Sequence, residues 1–469
     1  MITKQQNEEY LLDTKKPELL SRKSRLFIFL ILFILSNLTT STQIIINQHK
    51  KSIDDSRFKE KFSIFYSIGG ILGEFLFIFI SLLENRRNII FICVILNGIL
   101  YLVYSFSNNY SIFYFLIFFI GIIKNYLHIL APAWIDQFGI KKYKTILMYI
   151  YLSNIFVSYI INLILLHNSQ SNSANNNWYL NLIIIGILIL IFGSLLLLFP
   201  KKYFSLHYNF VGYKLESKEG TIVYEKNGRN NGRASFFSDN DNKNGFIKTI
   251  IKNKVYIFSV LTSFFYIFVF QIVNIDIIPF TINKKYWEPM FELKLNGVSA
   301  IGEFFGIFIG GIFLLCQEGG YENKKSGLYF GVFIILSYLS SLIMAFANKS
   351  WLFCVGFFLY KFSSKPLSYI NIFYVINCIP NLYKGSGLSL YLLFKNISRI
   401  ITTIFNGFLH DKLDKISNTL PMKIILNLNI FVLIFGLLLA YYRYNENKDK
   451  ENDEINQNNE KELQNIENI

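Results

Sequence analysis

Glu74 and Glu303 each stand inside a long apolar run, in the decamers ILGEFLFIFI (71–80) and AIGEFFGIFI (300–309), which agree at six of ten positions. A charge at membrane depth costs at least about 2.5–3.5 kcal/mol if it faces lipid. Each carboxylate must therefore meet a cation, a polar group or a water-filled cavity. A carboxyl group desolvated in that way has its protonation displaced, so it can bind and release a proton as water access changes. Coupling or gating is the chemistry this pattern allows; ion pairing that only balances charge is the alternative.

More ionisable residues interrupt other apolar runs. Lys124 and His128 are four apart, as are Lys361 and Lys365 just before Pro366, and Lys395 and Arg399. Four-residue spacing puts each pair on one helix face. Asp276 lies in the outer part of another run. Cations outnumber acids in this set, which would draw a carboxylate- or phosphate-bearing group. Lysines snorkelling to an interface or neutralising the glutamates would need no ligand. The stretch SNLTTSTQ (36–43) adds Ser36, Asn37, Thr40 and Gln43, which suit hydrogen bonds to a solute or to their own helix. His128 fits a proton relay or an ordinary satisfied core histidine. The candidate solute-binding residues are thus Lys124, His128, Lys361, Lys365, Thr40, Gln43 and Asp276.

The elements that position them are membrane helices. Of the 469 residues, 52% are hydrophobic and only 16% charged, too little charge for a soluble chain of this length. Stretches of the roughly 20 apolar residues that span a bilayer recur throughout. Twelve helices are expected, at about 26–46, 61–83, 88–106, 110–133, 143–166 and 179–200, then 255–282, 296–316, 327–347, 351–376, 382–408 and 422–442. They divide into two six-helix bundles, 26–200 and 255–442. Outside these lie an N-terminal tail (1–25), a polar linker (201–254) without apolar periodicity, and an Asn- and Glu-rich tail (443–469) expected to be disordered. The fold class expected is an all-α polytopic membrane protein.

Most of the 46 Lys and Arg residues fall on the side that holds both tails and the linker. The positive-inside rule makes that side cytoplasmic. The same bias accounts for the formal charge of +15, so no nucleic-acid partner is expected. The first 25 residues are polar and charged, so no cleaved signal peptide is expected. Cys93, Cys316, Cys354 and Cys378 form no CxxC or Cys/His cluster, which weighs against disulfide and zinc sites. No P-loop, HExxH or GxSxG occurs, so neither enzyme chemistry nor a cofactor is expected, nor ATP drive within this chain.

The repeated decamers fall in the second and eighth expected helices. A second match, YKTILMYIYL (143–152) with YKGSGLSLYL (383–392), falls in the fifth and eleventh. Two parallel six-helix halves built by duplication are the plan of a large transporter class. In this plan, its central loop and its 6+6 topology, the chain resembles the major facilitator superfamily over residues 26–442. That family carries a Gly-x-x-x-Asp-Arg-x-Gly-Arg-Arg loop after its second helix, and SLLENRRN (81–88) holds the place here. Arg86 and Arg87 match it, with Glu84 standing for the acid. Ala131, Pro132 and Ile135 resemble the Ala-Pro-x-x-Ile segment of the Spinster-like branch, with Lys124 where that branch has an acid.

The resemblance implies alternating access around a midplane site lined by the first, fourth, seventh and tenth helices. Glu74, Glu303, Arg86 and Arg87 would serve coupling or gating. The expected function is secondary active transport of a small organic solute, with a proton and an anionic substrate as candidates. A facilitative uniporter or a non-transporting receptor or scaffold of the same fold is the alternative. The bilayer and the solute are the expected partners, and a monomer the expected state. EEYLLD (8–13) resembles an acidic dileucine signal, which points to a vacuolar or lysosomal address, and the expected membrane is that or the plasma membrane.

Overall fold

The computed structural model describes residues 22–52, 56–81, 86–107, 109–138, 143–154, 157–158, 160–161, 178–200, 204, 213–218, 221–226, 250–283, 291–315, 325–379, 383–413 and 423–445. In chain order the helices are α1 (Arg22–Ser52), α2 (Ser56–Ile80), α3 (Arg86–Phe106), α4 (Tyr110–Ile123), α5 (Tyr126–Phe138), α6 (Lys144–Leu152) and α7 (Trp178–Leu195). A hairpin of β1 (Tyr213–Lys218) and β2 (Thr221–Lys226) follows. Then come α8 (Lys254–Asn283), α9 (Phe291–Leu315), α10 (Lys325–Phe346), α11 (Ser350–Cys378), α12 (Lys384–Leu413) and α13 (Lys423–Asn445). Helix occupies each of the twelve expected positions, with α4 and α5 together forming the fourth.

Among the described residues, nine segments are long and apolar enough to cross a membrane. Their outward surface is apolar, with Phe115, Phe308, Val332 and Ile404 exposed, while Ser337, Ser340 and Ser398 are buried. Apolar exposure on that scale suits lipid and not water. The chain is a multi-pass membrane protein.

Two differences from the sequence reading have simple causes. The stretch HKKSIDDSRFKEK (49–61) lies between the expected helices 26–46 and 61–83, yet α1 continues to Ser52 and α2 begins at Ser56. Hydropathy marks only the apolar part of a helix, and polar residues extend it into the interface. The linker was expected as a polar segment without apolar periodicity, and within it β1 and β2 pair antiparallel from Tyr213↔Lys226 to Lys218↔Thr221. Two residues, Glu219 and Gly220, separate the strands in sequence. That spacing is a hairpin signal, which a search for helical period passes over.

The chain divides into two compact units. One holds Met1–Asn244 with Pro380–Ser389, the other Gly245–Ile379 with Leu390–Ile469. The start of α12 therefore belongs to the first unit.

In the first unit α2 crosses α4 through glycines. A Cβ on Gly69 would overlap the Phe118 carbonyl, and one on Gly73 the Ile122 carbonyl. In the second unit α9 crosses α11 in the same way, Gly302 against the Phe358 carbonyl and Gly306 against that of Phe362. Small residues four apart let backbones approach where lipid offers no hydrophobic drive. Pro366 explains one contact further. It has no N–H to give the Phe362 carbonyl four residues back, and that oxygen instead faces the Gly306 backbone.

This packing gives a prediction. Gly306→Val forces a side chain into the Phe362 backbone and should destabilise the purified protein by at least about 2–3 kcal/mol. Gly297→Ala, where an added Cβ meets nothing within 4 Å among the described residues, should not lower the thermal midpoint and should raise it slightly. Equal midpoints for the two variants would refute this account of the crossing.

Candidate functional site

Glu303 projects from α9 toward α11, where two lysines share it. Lys361 Nζ lies 3.4 Å from Glu303 Oε1 and Lys365 Nζ lies 3.2 Å from Oε2. The Lys361 side chain is 6% exposed, that of Lys365 16% and that of Glu303 24%. Aromatic faces complete the surroundings: Lys361 Nζ sits 4.6 Å from the Phe270 ring centre and 5.3 Å from that of Phe357. A ring face stabilises a desolvated ammonium. Phe270 stacks in turn on Tyr266, whose hydroxyl donates to the Ser364 carbonyl at 3.2 Å. Here two cations meet one carboxylate that keeps partial access, so an incoming anion could replace Glu303 on either lysine.

Glu74 occupies a different environment. It is 1% exposed, and the Asn125 amide donates to its Oε1. Asn125 and Lys124 lie at the interruption between α4 and α5. Lys124 is 4% exposed with its Nζ 3.9 Å from the Tyr66 ring centre, while His128 is half-buried on α5.

The glycine crossings also give a register for the repeat. Gly69 and Gly73 stand 233 residues before Gly302 and Gly306, and the carbonyls they meet are 240 apart. The decamer match sets the two glutamates 229 apart. In the packing register Glu74 and Glu303 are therefore offset by about one helical turn. Sequence identity rewarded matching letters, whereas the backbone crossing depends on which glycine meets which carbonyl.

The polar stripe on α1 is mostly engaged in structure. Thr40 Oγ1 donates to the Ser36 carbonyl at 2.9 Å, on its own helix. Asn154 donates to Ser36 Oγ at 2.5 Å, and Ser158 Oγ to the Asn37 carbonyl at 3.0 Å. These bonds tie α1 to the fifth expected helix. Gln43 is half-buried. The side chain of Asp276 lies outside the described residues, although its backbone is part of α8. So does the side chain of Arg86, at the start of α3. Arg87 Nη1 donates to the Phe199 carbonyl at 2.7 Å, just past α7, and its Nε to Asn88 Oδ1 at 3.3 Å.

One acid escaped the sequence reading. Asp136, near the end of α5, has a side chain 1% exposed and pairs through one oxygen with Lys144 and through the other with Lys384. Those lysines are 240 residues apart and occupy the same place in the second repeat match. Each is also the first residue of a helix, α6 or α12, where a cation opposes the helix dipole and an anion complements it. One carboxylate thus serves two helix starts. Nearby, Ser386 Oγ donates to the Ile78 carbonyl at 2.7 Å and pairs with Ser81 Oγ at 2.8 Å. The signal available in the sequence was the repeated Tyr-Lys pair, which implied one shared role for two lysines.

No protein-family profile matches the chain, and no curated protein sequence does. Solved structures do resemble it. The E. coli fucose:proton symporter matches with a TM-score of 0.63 at 14% identity, covering 90% of this chain and 99% of that one. A proton:xylose symporter of the major facilitator superfamily matches with a TM-score of 0.63 at 13% identity, covering 88% and 95%. A bacterial homologue of the human lysosomal transporter Spinster, inward-facing and unoccupied, matches with a TM-score of 0.50 at 13% identity, covering 90% and 98%. The chain has the major facilitator fold.

Proposed function

We propose that this protein is a secondary transporter that moves a small organic anion by alternating access, with protons as the coupling ion. The observation that carries the reading is the pairing of Lys361 and Lys365 with the single carboxylate of Glu303. Two ammonium groups held on one acid offer a carboxylate or phosphate ester a ready partner, and protonation of Glu303 would release both lysines to it. Fucose:proton and proton:xylose symporters of the same fold support proton coupling as a working scheme. Glu74 is the second coupling candidate, and Lys124 and His128 of the fourth expected helix are candidate solute-binding residues. Arg86 and Arg87 are assigned to gating. Both termini are placed in the cytoplasm, in a plasma or vacuolar-type membrane, and the protein acts as a monomer.

The test is uptake into liposomes carrying the purified chain, under an imposed pH gradient, with a panel of monocarboxylates, phosphate esters, amino acids and neutral sugars. Concentrative uptake of an anion, lost in Lys361→Gln with Lys365→Gln, is the expected result. Uptake of neutral sugars alone would reject the anion reading. Anion flux that never exceeds equilibrium would make the protein a facilitator. No flux of any solute would favour a receptor or scaffold. In Glu303→Gln, pH-driven accumulation should vanish while exchange of preloaded substrate continues.

A further inference from the structure

Asn371 of α11 is 2% exposed and binds α8 twice, its amide nitrogen donating to the Ser259 carbonyl at 3.0 Å and to Ser263 Oγ at 2.7 Å. Ser263 Oγ also pairs with Tyr391 of α12 at 2.5 Å, so three helices meet at this point. The joint is incomplete. Among the described residues Asn371 Oδ1 has no hydrogen-bond partner, nor does Thr262 Oγ1, which is 3% exposed on α8. Both residues border one cavity, together with Ser263, Tyr266 and Ser368 and with the apolar walls of Ile334 and Leu367. The cavity leaves about 10 Å³ open to a water centre, the room that one water needs.

From this geometry we infer that the cavity is a binding site for a single internal water, which donates to Asn371 Oδ1 and bonds Thr262 Oγ1, completing the junction of α8 with α11. The oxygens there are neutral amide and hydroxyl groups. A metal cation finds no anionic ligand among the described lining residues. An unsatisfied buried amide oxygen is rare in folded proteins and points to an ordered water. Tyr266 lines this cavity and also stacks on Phe270 beside Lys361, so the site adjoins the Glu303 cluster.

The experiment is X-ray hydroxyl-radical footprinting of the intact protein in lipid nanodiscs. Radicals formed from a bound water oxidise the side chains beside it. Ile334 and Leu367 should therefore be labelled several-fold faster than Ile425 and Leu426, which are equally buried in the apolar core of the same unit. Labelling at the same low rate would overturn the proposal. Thr262→Val, which keeps shape and removes one partner of the water, should lower the thermal midpoint and reduce the excess labelling. A raised midpoint would show a dry cavity in which the hydroxyl is simply unsatisfied. A midpoint that rises with sodium but not with choline would assign the site to a cation instead, and would equally overturn it.

Discussion

Glu303→Gln should lower the folding stability of the purified protein by about 2–4 kcal/mol, because it leaves two ammonium groups without their carboxylate. Lys361, at 6% side-chain exposure, gains almost nothing from water in compensation, and the Phe270 and Phe357 rings are left as its aromatic neighbours. The double variant Glu303→Gln with Lys361→Met should recover most of that loss. Methionine fills the same space without a charge, and removing both partners of a buried pair costs far less than removing one. Differential scanning fluorimetry in one detergent would measure the cycle. If the double variant is no more stable than Glu303→Gln, the pair is not coupled as its geometry requires.

Asp136→Asn should cost more, about 3–5 kcal/mol, since its carboxylate is buried and neutralises two lysines at once. Asparagine also removes the negative charge that complements the starts of α6 and α12. Hydrogen exchange should report the change locally, with amides of residues 384–389 losing protection before those of α8 or α10. Asp136→Asn with Lys384→Met should restore part of the stability but none of the pairing at the start of α12. Unchanged exchange at 384–389 in Asp136→Asn would show that this segment is held by the Ser81–Ser386 and Ile78 contacts alone.

The helices were legible because crossing a bilayer demands an apolar run of fixed length, and that demand is written directly in composition. The duplicated plan was legible too, from Gly-Glu-Phe and Tyr-Lys. The details of the site were not. Lys361, Lys365 and Glu303 were each visible as buried charges, but their pairing depends on how α9 crosses α11, which is set by glycines meeting carbonyls. For Thr40 the sequence left open a bond to a solute or to its own helix, and the fold gives its hydroxyl to the Ser36 carbonyl. Asp136 was passed over because it closes an apolar run, where an acid reads as an ordinary interface residue. Its partners lie 8 and 248 residues away, and only folding brings Lys144 and Lys384 to it.

Because both lysines lean on one acid, the three positions should differ sharply in a saturation-mutagenesis screen. Loss of Lys144 leaves Asp136 paired with Lys384, and loss of Lys384 leaves it paired with Lys144, so each change is buffered by the other copy. The residue 240 positions after Asp136 is Ile376, which can accept no cation, so the duplication holds no spare for the acid. Position 136 is a single point of failure for the two lysines that depend on it.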